Sequence, residues 1–276
     1  MPELPEVETI VRDIRPELLG RRFVSARLRH DDVLRGVSRR TLLSGLRGSR
    51  VREVFRRAKH AVIQTDTRRL VVQPGMTGSL LVLDRPPLPA SREKAYAVLT
   101  LQLDNDRVLL FHDVRRFGTL LWLDAEGWES YSGAIGPEPL EPDFTPRELR
   151  AILGRSRAAV KKVLMDQGAL AGVGNIYAQE ALFAAGIDPS KPACEVSAAA
   201  ARRLHGELVR ILRAAIESEG TTVRDYRTGR GKSGSFQFEL LVYDREGEPC
   251  LRCGTPLTGT HAIDARITVF CHRCQK

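Results

Sequence analysis

Two features of the chain carry chemistry in their residue types and spacing. The first is a pair of cysteine knuckles, Cys250-x2-Cys253 and Cys271-x2-Cys274, with 17 residues between them. Two CxxC pairs at this separation suit tetrahedral thiolate coordination of one zinc ion, with the intervening stretch folded as a hairpin. Four protein ligands leave no position open for water, so the expected role is structural. Two disulfides or unrelated cysteines are the alternatives. Cys194 stands alone and is expected to be buried. The second feature is the start, Met1-Pro2-Glu3-Leu4-Pro5-Glu6. A small second residue permits removal of the initiator Met, which leaves Pro2 as a free secondary amine. Such an amine can attack an aldehyde-like carbon and form an iminium that is positively charged without a proton. An α-amino group titrates near pH ~8, closer to neutrality than lysine. Glu3 sits beside it and can move protons at the same carbon. Taken alone, Pro and Glu at this position are better explained as ordinary helix-start residues.

These groups need elements to hold them. Residues 5–19 read as a first helix, with Val7, Ile10, Val11, Ile14 and Leu18 at helical spacing and Gly20 as the stop. From Phe23 to Trp122 the texture changes to short strand-like runs at 61–65, 70–73, 79–83, 97–103, 108–112 and 119–123, which predicts a β-sandwich or barrel. The stretch 136–144 reads as a linker. Thr145-Pro146-Arg147-Glu148 combines an N-cap, a first-turn proline and a capping-box glutamate, and opens a helical region that runs to Glu219. Gly231-Lys232-Ser233 resembles the end of a phosphate-binding loop, but Tyr226 stands where that motif needs glycine.

The 276 residues suggest about two domains, each able to bury a core without disulfides. Charged residues make up 28% and hydrophobic residues 42%, which excludes a disordered chain. No apolar run reaches the roughly 18 residues of a membrane span, and the acidic, amphipathic start does not look like a signal peptide. A cytoplasmic location with reduced cysteines is expected. Lys and Arg outnumber Asp and Glu by 43 to 34, a net charge of +9, which favours a polyanionic partner. Aromatics at 6% are too few for a large single-strand stacking platform.

Read together, Met1–Thr9 (MPELPEVET), Arg56–His60 (RRAKH), Gly75–Leu80 (GMTGSL), Asp113–Gly118 (DVRRFG), Leu164–Ile187 with its GVGNIYA core, Gly220–Tyr226 (GTTVRDY) and the terminal cysteines resemble the bacterial formamidopyrimidine-DNA glycosylases end to end. The resemblance implies an α+β chain. Residues 1–135 would form a catalytic β-sandwich domain with the first helix, and 136–144 a linker. A helix–two-turn–helix DNA-binding domain would span 145–236, with a lesion-capping loop at 220–236, and 237–276 a zinc finger. It implies a monomeric, membrane-free enzyme that acts on duplex DNA containing oxidised bases or abasic sites. Such an enzyme excises oxidised purines and then cleaves the backbone by β,δ-elimination. Pro2 would be the nucleophile on the sugar C1′ and Glu3 the acid/base. Lys59 would support base release and elimination, and Arg266 the δ step. Met76, Arg115 and Phe117 would fill the hole left by the flipped base. Arg116, Arg157, Lys161 and Asn175 would contact DNA. Thr221, Val223, Arg224, Asp225 and Tyr226 would cap the lesion, the Thr221 carbonyl accepting from a purine N7–H that normal guanine lacks. Glycines 229, 231 and 234 would give that loop its mobility.

Several positions depart from the family pattern. Gln73-Pro74 replaces His-Leu, Ala95-Tyr96-Ala97 replaces a histidine-containing stretch, Val114 replaces proline, and the finger loop is one residue longer. They bear on phosphate contacts rather than on Pro2 or Glu3. An endonuclease VIII-like enzyme for oxidised pyrimidines and a non-catalytic lesion-binding paralogue are the competing readings.

Overall fold

The structure is a computed structural model, and it describes residues 1–222 and 226–276. The helices are α1 (Leu4–Leu18), α2 (Arg39–Leu46), α3 (Arg92–Ala95), α4 (Ala125–Gly133), α5 (Pro146–Gly154), α6 (Val160–Met165), α7 (Asn175–Ala185) and α8 (Ala198–Glu217). The strands are β1 (Phe23–Leu28), β2 (Val51–Arg57), β3 (His60–Thr65), β4 (Arg69–Gln73), β5 (Gly78–Leu83), β6 (Ala97–Leu103), β7 (Val108–Asp113), β8 (Thr119–Leu123), β9 (Thr258–Thr260) and β10 (Thr268–Phe270).

The chain divides into two compact units, each drawn from two stretches of sequence. The first comprises Met1–Gly133 and Ser218–Gln237, the second Ala134–Glu217 and Phe238–Lys276. The capping segment therefore groups with the N-terminal sandwich, and the finger with the helices.

In the first unit, two antiparallel four-stranded sheets, ordered β1-β6-β7-β5 and β2-β3-β4-β8, lie face to face. Strand alternation explains which side chains meet. Ala61, Ile63, Leu70 and Val72 point inward and join Leu99, Leu101, Leu109 and Phe111 of the other sheet in one core. Val62 and Val71 point outward, where Trp128 of α4 covers them. Being buried on both faces, β3 and β4 read as continuous apolar runs rather than alternating ones. Helix α1 places Val7, Ile10, Val11, Ile14 and Leu18 into the same core. At i, i+3, i+4, i+7 and i+11 these residues share one face of the helix. Gly20, at φ +79°, turns the chain into β1.

In the second unit, Thr145 caps α5 by accepting from the Glu148 N–H at 3.3 Å. Helix α7 is buried almost all round and ends at Gly186, φ +70°, a left-handed C-cap. The linker-like stretch 136–144 is packed. A side chain at Gly136 would strike the Ala169 backbone at 2.6 Å, and Phe144 is buried. Cys194, expected inside, is exposed, because it sits on a short 3-10 turn after Pro192.

Candidate active site and metal centre

The N-terminus leads directly into α1. Glu3 is the N-cap of the helix and forms a capping box with Glu6. Its N–H donates to Glu6 Oε2 at 2.8 Å, and both side chains are buried. Pro2 is buried as well. Burial pushes the Met1 α-amino group below its ordinary value of 8.0, the Glu3 and Glu6 carboxylates pull it up, and the charges of Lys59 and Arg115 push it further down. An amine, two carboxylates and two cations thus act on one another at the head of α1.

Lys59 reaches this place because the β2–β3 turn is tight, with Ala58 at φ +51°. Around it, His60 Nδ1 lies 3.0 Å from the Arg57 carbonyl, and the Tyr131 hydroxyl lies 3.1 Å from His60 Nε2. Arg56 is fixed by Glu8 at 3.1 Å.

A buried carboxylate, Asp113, organises the next two loops. Thr77 donates to its Oδ1 at 2.5 Å, the Gly118 N–H donates to its Oδ2 at 2.8 Å, and the Arg115 N–H donates to Thr77 Oγ1 at 3.0 Å. A side chain at Gly75 would lie 2.6 Å from the Gly118 N, so only glycine allows the loops to press together. The clamp leaves Met76 42% and Phe117 61% exposed. The Arg115 guanidinium lies 5.2 Å from the Phe117 ring centroid, a cation–π distance. Arg116 sits at φ +54° and donates from Nε to Asp32 at 2.8 Å. Sequence reasoning placed the displayed residues but missed Asp113, whose signal was its place at the head of the DVRRFG motif.

The capping segment is tied to α1 through Glu6. The Thr221 N–H donates to Glu6 Oε1 at 2.8 Å, so one carboxylate joins the loop start to the N-terminus. The Tyr226 hydroxyl donates to the Glu6 and Glu219 carbonyls at 3.3 and 3.1 Å. Burial pushes the Tyr226 phenol far above its ordinary range, so it stays protonated. Val223, Arg224 and Asp225 lie outside the described residues. Two of the glycines expected to confer mobility do something else. A side chain at Gly229 would meet Asp13 Cβ at 2.7 Å, and one at Gly234 the Gly220 carbonyl at 2.2 Å. They permit close packing, and only Gly231, φ +77°, uses glycine's conformational freedom. Beside this segment, a cavity of about 250 Å³ is lined by Thr77, Ser79, Arg92, Glu93, His112 and Arg227. His112 stands opposite Ala97 in the β6–β7 ladder. Its ring meets the Tyr96 ring edge-on at 5.7 Å.

In the second unit, Arg157 is exposed ahead of α6. Lys161 differs from the expected DNA contact. It is 0% exposed, and its ammonium donates to Asp264 at 3.0 Å and to Thr268 at 2.6 Å. An ammonium held in this way has no surface to offer a phosphate. Asn175 opens α7 after the Gly172–Gly174 turn. Its Nδ2 donates to the Ile267 carbonyl at 3.4 Å, while its buried Oδ1 has no hydrogen-bond partner among the described residues. Gln167 braces that turn from both sides, accepting from the Gly172 N–H and donating to the Val173 carbonyl, each at 2.9 Å. Glu180, unremarkable in the sequence, accepts three backbone N–H groups, from Leu241, Val242 and Tyr243, at 2.8–2.9 Å. With Gln179, which accepts from the Val269 N–H at 2.7 Å, it fastens the finger to α7.

The four cysteine sulfurs lie within 4.8 Å of one another. Cys250 and Cys274 are 3.9 Å apart, and Cys253 and Cys271 3.5 Å. Sulfurs ~2.3 Å from a tetrahedral zinc are about 3.8 Å from each other, so the donor set fits that ion. The separations exclude disulfides, whose S–S length is about 2.05 Å. Arg266 lies in the β9–β10 loop, its side chain 55% exposed.

The chain thus combines a β-sandwich opened by an N-terminal helix with a helical region that carries a four-cysteine hairpin suited to zinc. Residues 1–120 match the formamidopyrimidine-DNA glycosylase N-terminal domain, and residues 135–227 match that family's H2TH domain. Among similar proteins, the formamidopyrimidine-DNA glycosylases of Stutzerimonas stutzeri and Xanthomonas campestris pv. campestris are each 46% identical, and the match covers 100% of both chains. The crystal structure of MutM (Fpg) from Thermus thermophilus superimposes with a TM-score of 0.86 at 37% identity, covering 99% of this chain and 98% of that one. A Lactococcus lactis Fpg variant in complex with Fapy-dG DNA gives 0.89 at 31% identity, with both chains fully covered. The chain belongs to the formamidopyrimidine-DNA glycosylase family.

Proposed function

We propose that the protein is a bifunctional glycosylase and abasic-site lyase that removes oxidised purines from duplex DNA through the amine of Pro2. The observation that carries this reading is the arrangement at the head of α1, where Pro2 is buried next to the buried Glu3 and Glu6 carboxylates, with the charges of Lys59 and Arg115 acting on the N-terminal amine. Once Met1 is removed, the Pro2 nitrogen attacks C1′ of the flipped nucleotide. The bond between C1′ and the base breaks, and the base leaves with its electron pair and takes up a proton. Glu3 gives a proton to the ring oxygen as the sugar opens, and the C1′–N bond becomes an iminium. This acidifies the C2′ proton. Its loss, with Lys59 close to the same amine, expels the 3′ phosphate by cleavage of the C3′–O bond. A second elimination breaks the C5′–O bond, and the Arg266 guanidinium, always charged, stabilises the departing phosphate. Water then hydrolyses the iminium and restores the amine.

Met76, Arg115 and Phe117 suit the hole left in the duplex. Flipping a base costs a few kcal/mol, which inserted side chains offset. Thr221, held by Glu6, suits lesion reading through its carbonyl, since a purine lacking N7–H would face it lone pair to lone pair. Solved relatives are complexes with DNA carrying Fapy-dG or an abasic site, which supports duplex DNA as the partner. The finger cysteines would hold one structural zinc, whose contribution is the folded hairpin that carries Arg266. Reduced thiols accord with a cytoplasmic setting.

The test is borohydride trapping on separate duplexes containing 8-oxoguanine, a formamidopyrimidine or an oxidised pyrimidine, followed by peptide mapping. Trapping on the purine lesions with the adduct on Pro2 is expected. An adduct on an internal lysine, with Pro2→Gly fully active, refutes the nucleophile. Preference for the pyrimidine duplex establishes the endonuclease VIII-like reading instead.

A further inference from the structure

The finger loop carries an acidic side chain that the reaction above leaves unused. Asp264 Oδ2 accepts from the Lys161 ammonium at 3.0 Å. Its Oδ1 accepts from the Arg266 backbone N–H at 2.6 Å. The Arg266 Nε lies farther away, 3.7 Å from the same oxygen, beyond hydrogen-bond reach. Lys161 also donates to Thr268 at 2.6 Å, so a single buried ammonium binds the loop just before Arg266 and the strand just after it. Burial pulls the Asp264 carboxyl upward, but the Arg266 N–H, Lys161 and then the Arg266 charge outweigh it and hold the group below its ordinary value.

Two consequences follow for Arg266. Its backbone is pinned at the root, so the long side chain swings from a fixed point. The Asp264 charge is shared between Lys161, hydrogen-bonded at 3.0 Å, and the Arg266 guanidinium, at a looser 3.7 Å, so the 55% exposed guanidinium faces the carboxylate without a hydrogen bond from its Nε. Lys161 draws on part of that charge; without it, the aspartate would hold Arg266 more tightly against a competing phosphate. Without Asp264, Lys161 would be a buried ammonium stripped of this counter-charge.

We propose that Asp264 is the positioning residue for Arg266, with Lys161 as its buried counter-charge, so that this pair sets the efficiency of the δ step. The proposal rests on the reading that Arg266 assists δ-elimination. It predicts a change in which products form.

The experiment uses the full-length zinc protein on duplex DNA with a preformed abasic site, labelled at its 5′ end. β-Elimination alone leaves an unsaturated aldehyde on the labelled strand, and δ-elimination leaves a 3′ phosphate. Asp264→Ala should lower the ratio of phosphate to aldehyde ends by about tenfold or more, as small misplacements of a catalytic group do. Zinc should stay at one per chain, and Asp264→Glu should recover part of the ratio. Should Asp264→Ala lose zinc, the double variant Lys161→Met/Asp264→Leu removes both charges together, keeps an apolar core there, and should show the same low ratio. A wild-type ratio in whichever variant retains zinc overturns the proposal, as does loss of zinc from both. Wild-type protein that fails to cleave abasic DNA refutes the lyase reading itself, a result distinct from unaltered product ends in a variant.

Discussion

Glu3 has two duties, which separate on substitution. As N-cap it closes the first turn of α1, and as the proposed acid it serves the sugar. Glu3→Gln should lose base excision while keeping duplex affinity, because a carboxylate adds no positive charge to phosphate binding. It should also lower stability by about 1 kcal/mol through the weaker cap, read as a small drop in Tm. Arg116→Ala should do the reverse, weakening binding to all sequences alike with a shallower salt dependence. Its exposed ion pair with Asp32 is worth little to stability. Binding lost in Glu3→Gln but unchanged in Arg116→Ala would reverse these roles. His112 allows a signed prediction. Burial first, and then the Arg92 charge, push its pKa below 6.5, while Glu93 and Asp113 pull it up. The unfolded chain therefore takes up a proton near pH ~6.5 that the folded chain does not. Stability should fall as pH drops below about 6.5 and level off below the folded pKa. His112→Gln should flatten that slope in Tm measured from pH ~7 to ~5. With Gln73, Ala95 and Ala97 uncharged and His112 held neutral, DNA affinity should vary little between about pH 6 and 8.

At the scale of elements, the finger hairpin has strands of three residues each, too short to persist unaided. Cys271→Ser should lose zinc and duplex binding together, because the fold of such a module is coupled to its metal. Metal analysis alongside a binding titration checks this, and full affinity in zinc-free protein would contradict it. Gly234→Ala should cost about 1–3 kcal/mol, since a side chain 2.2 Å from the Gly220 carbonyl forces the capping segment to move; an unchanged melting curve would show that the segment adjusts freely. Six strands and the first helix were legible because their apolar spacing is strong. Strands β1 and β2 were not separately legible: Phe23–Leu28 and Val51–Arg57 carry arginines and glutamate between few buried residues. Helix α2, with only Leu42 and Leu46 fully buried, has too little pattern to be read. The metal centre was legible because its four cysteines sit in two regular pairs, and the structure brings their sulfurs together; Pro2 and Glu3 were placed at the start of α1, where they are buried. The sequence was silent on Asp113, Glu180 and Asp264, whose importance lies in partners far away in sequence.

For the molecule as a whole, the net charge of +9 predicts binding that weakens steeply with salt, and the slope counts the phosphates engaged. A slope near zero on undamaged duplex would show that the basic balance serves no electrostatic grip. The discontinuous first unit has a further consequence, which concerns synthesis. Its last piece, Ser218–Gln237, is made only after the whole of Ala134–Glu217. At translation speeds of roughly 5–20 residues per second, the sandwich emerges on the order of ten seconds before the segment that supplies the Thr221 N–H to Glu6. During that interval Glu6 at the head of α1 lacks the Thr221 N–H. The head of α1 therefore gains this contact only late in synthesis, and an N-terminal fragment released early would lack the segment that ties Glu6 down.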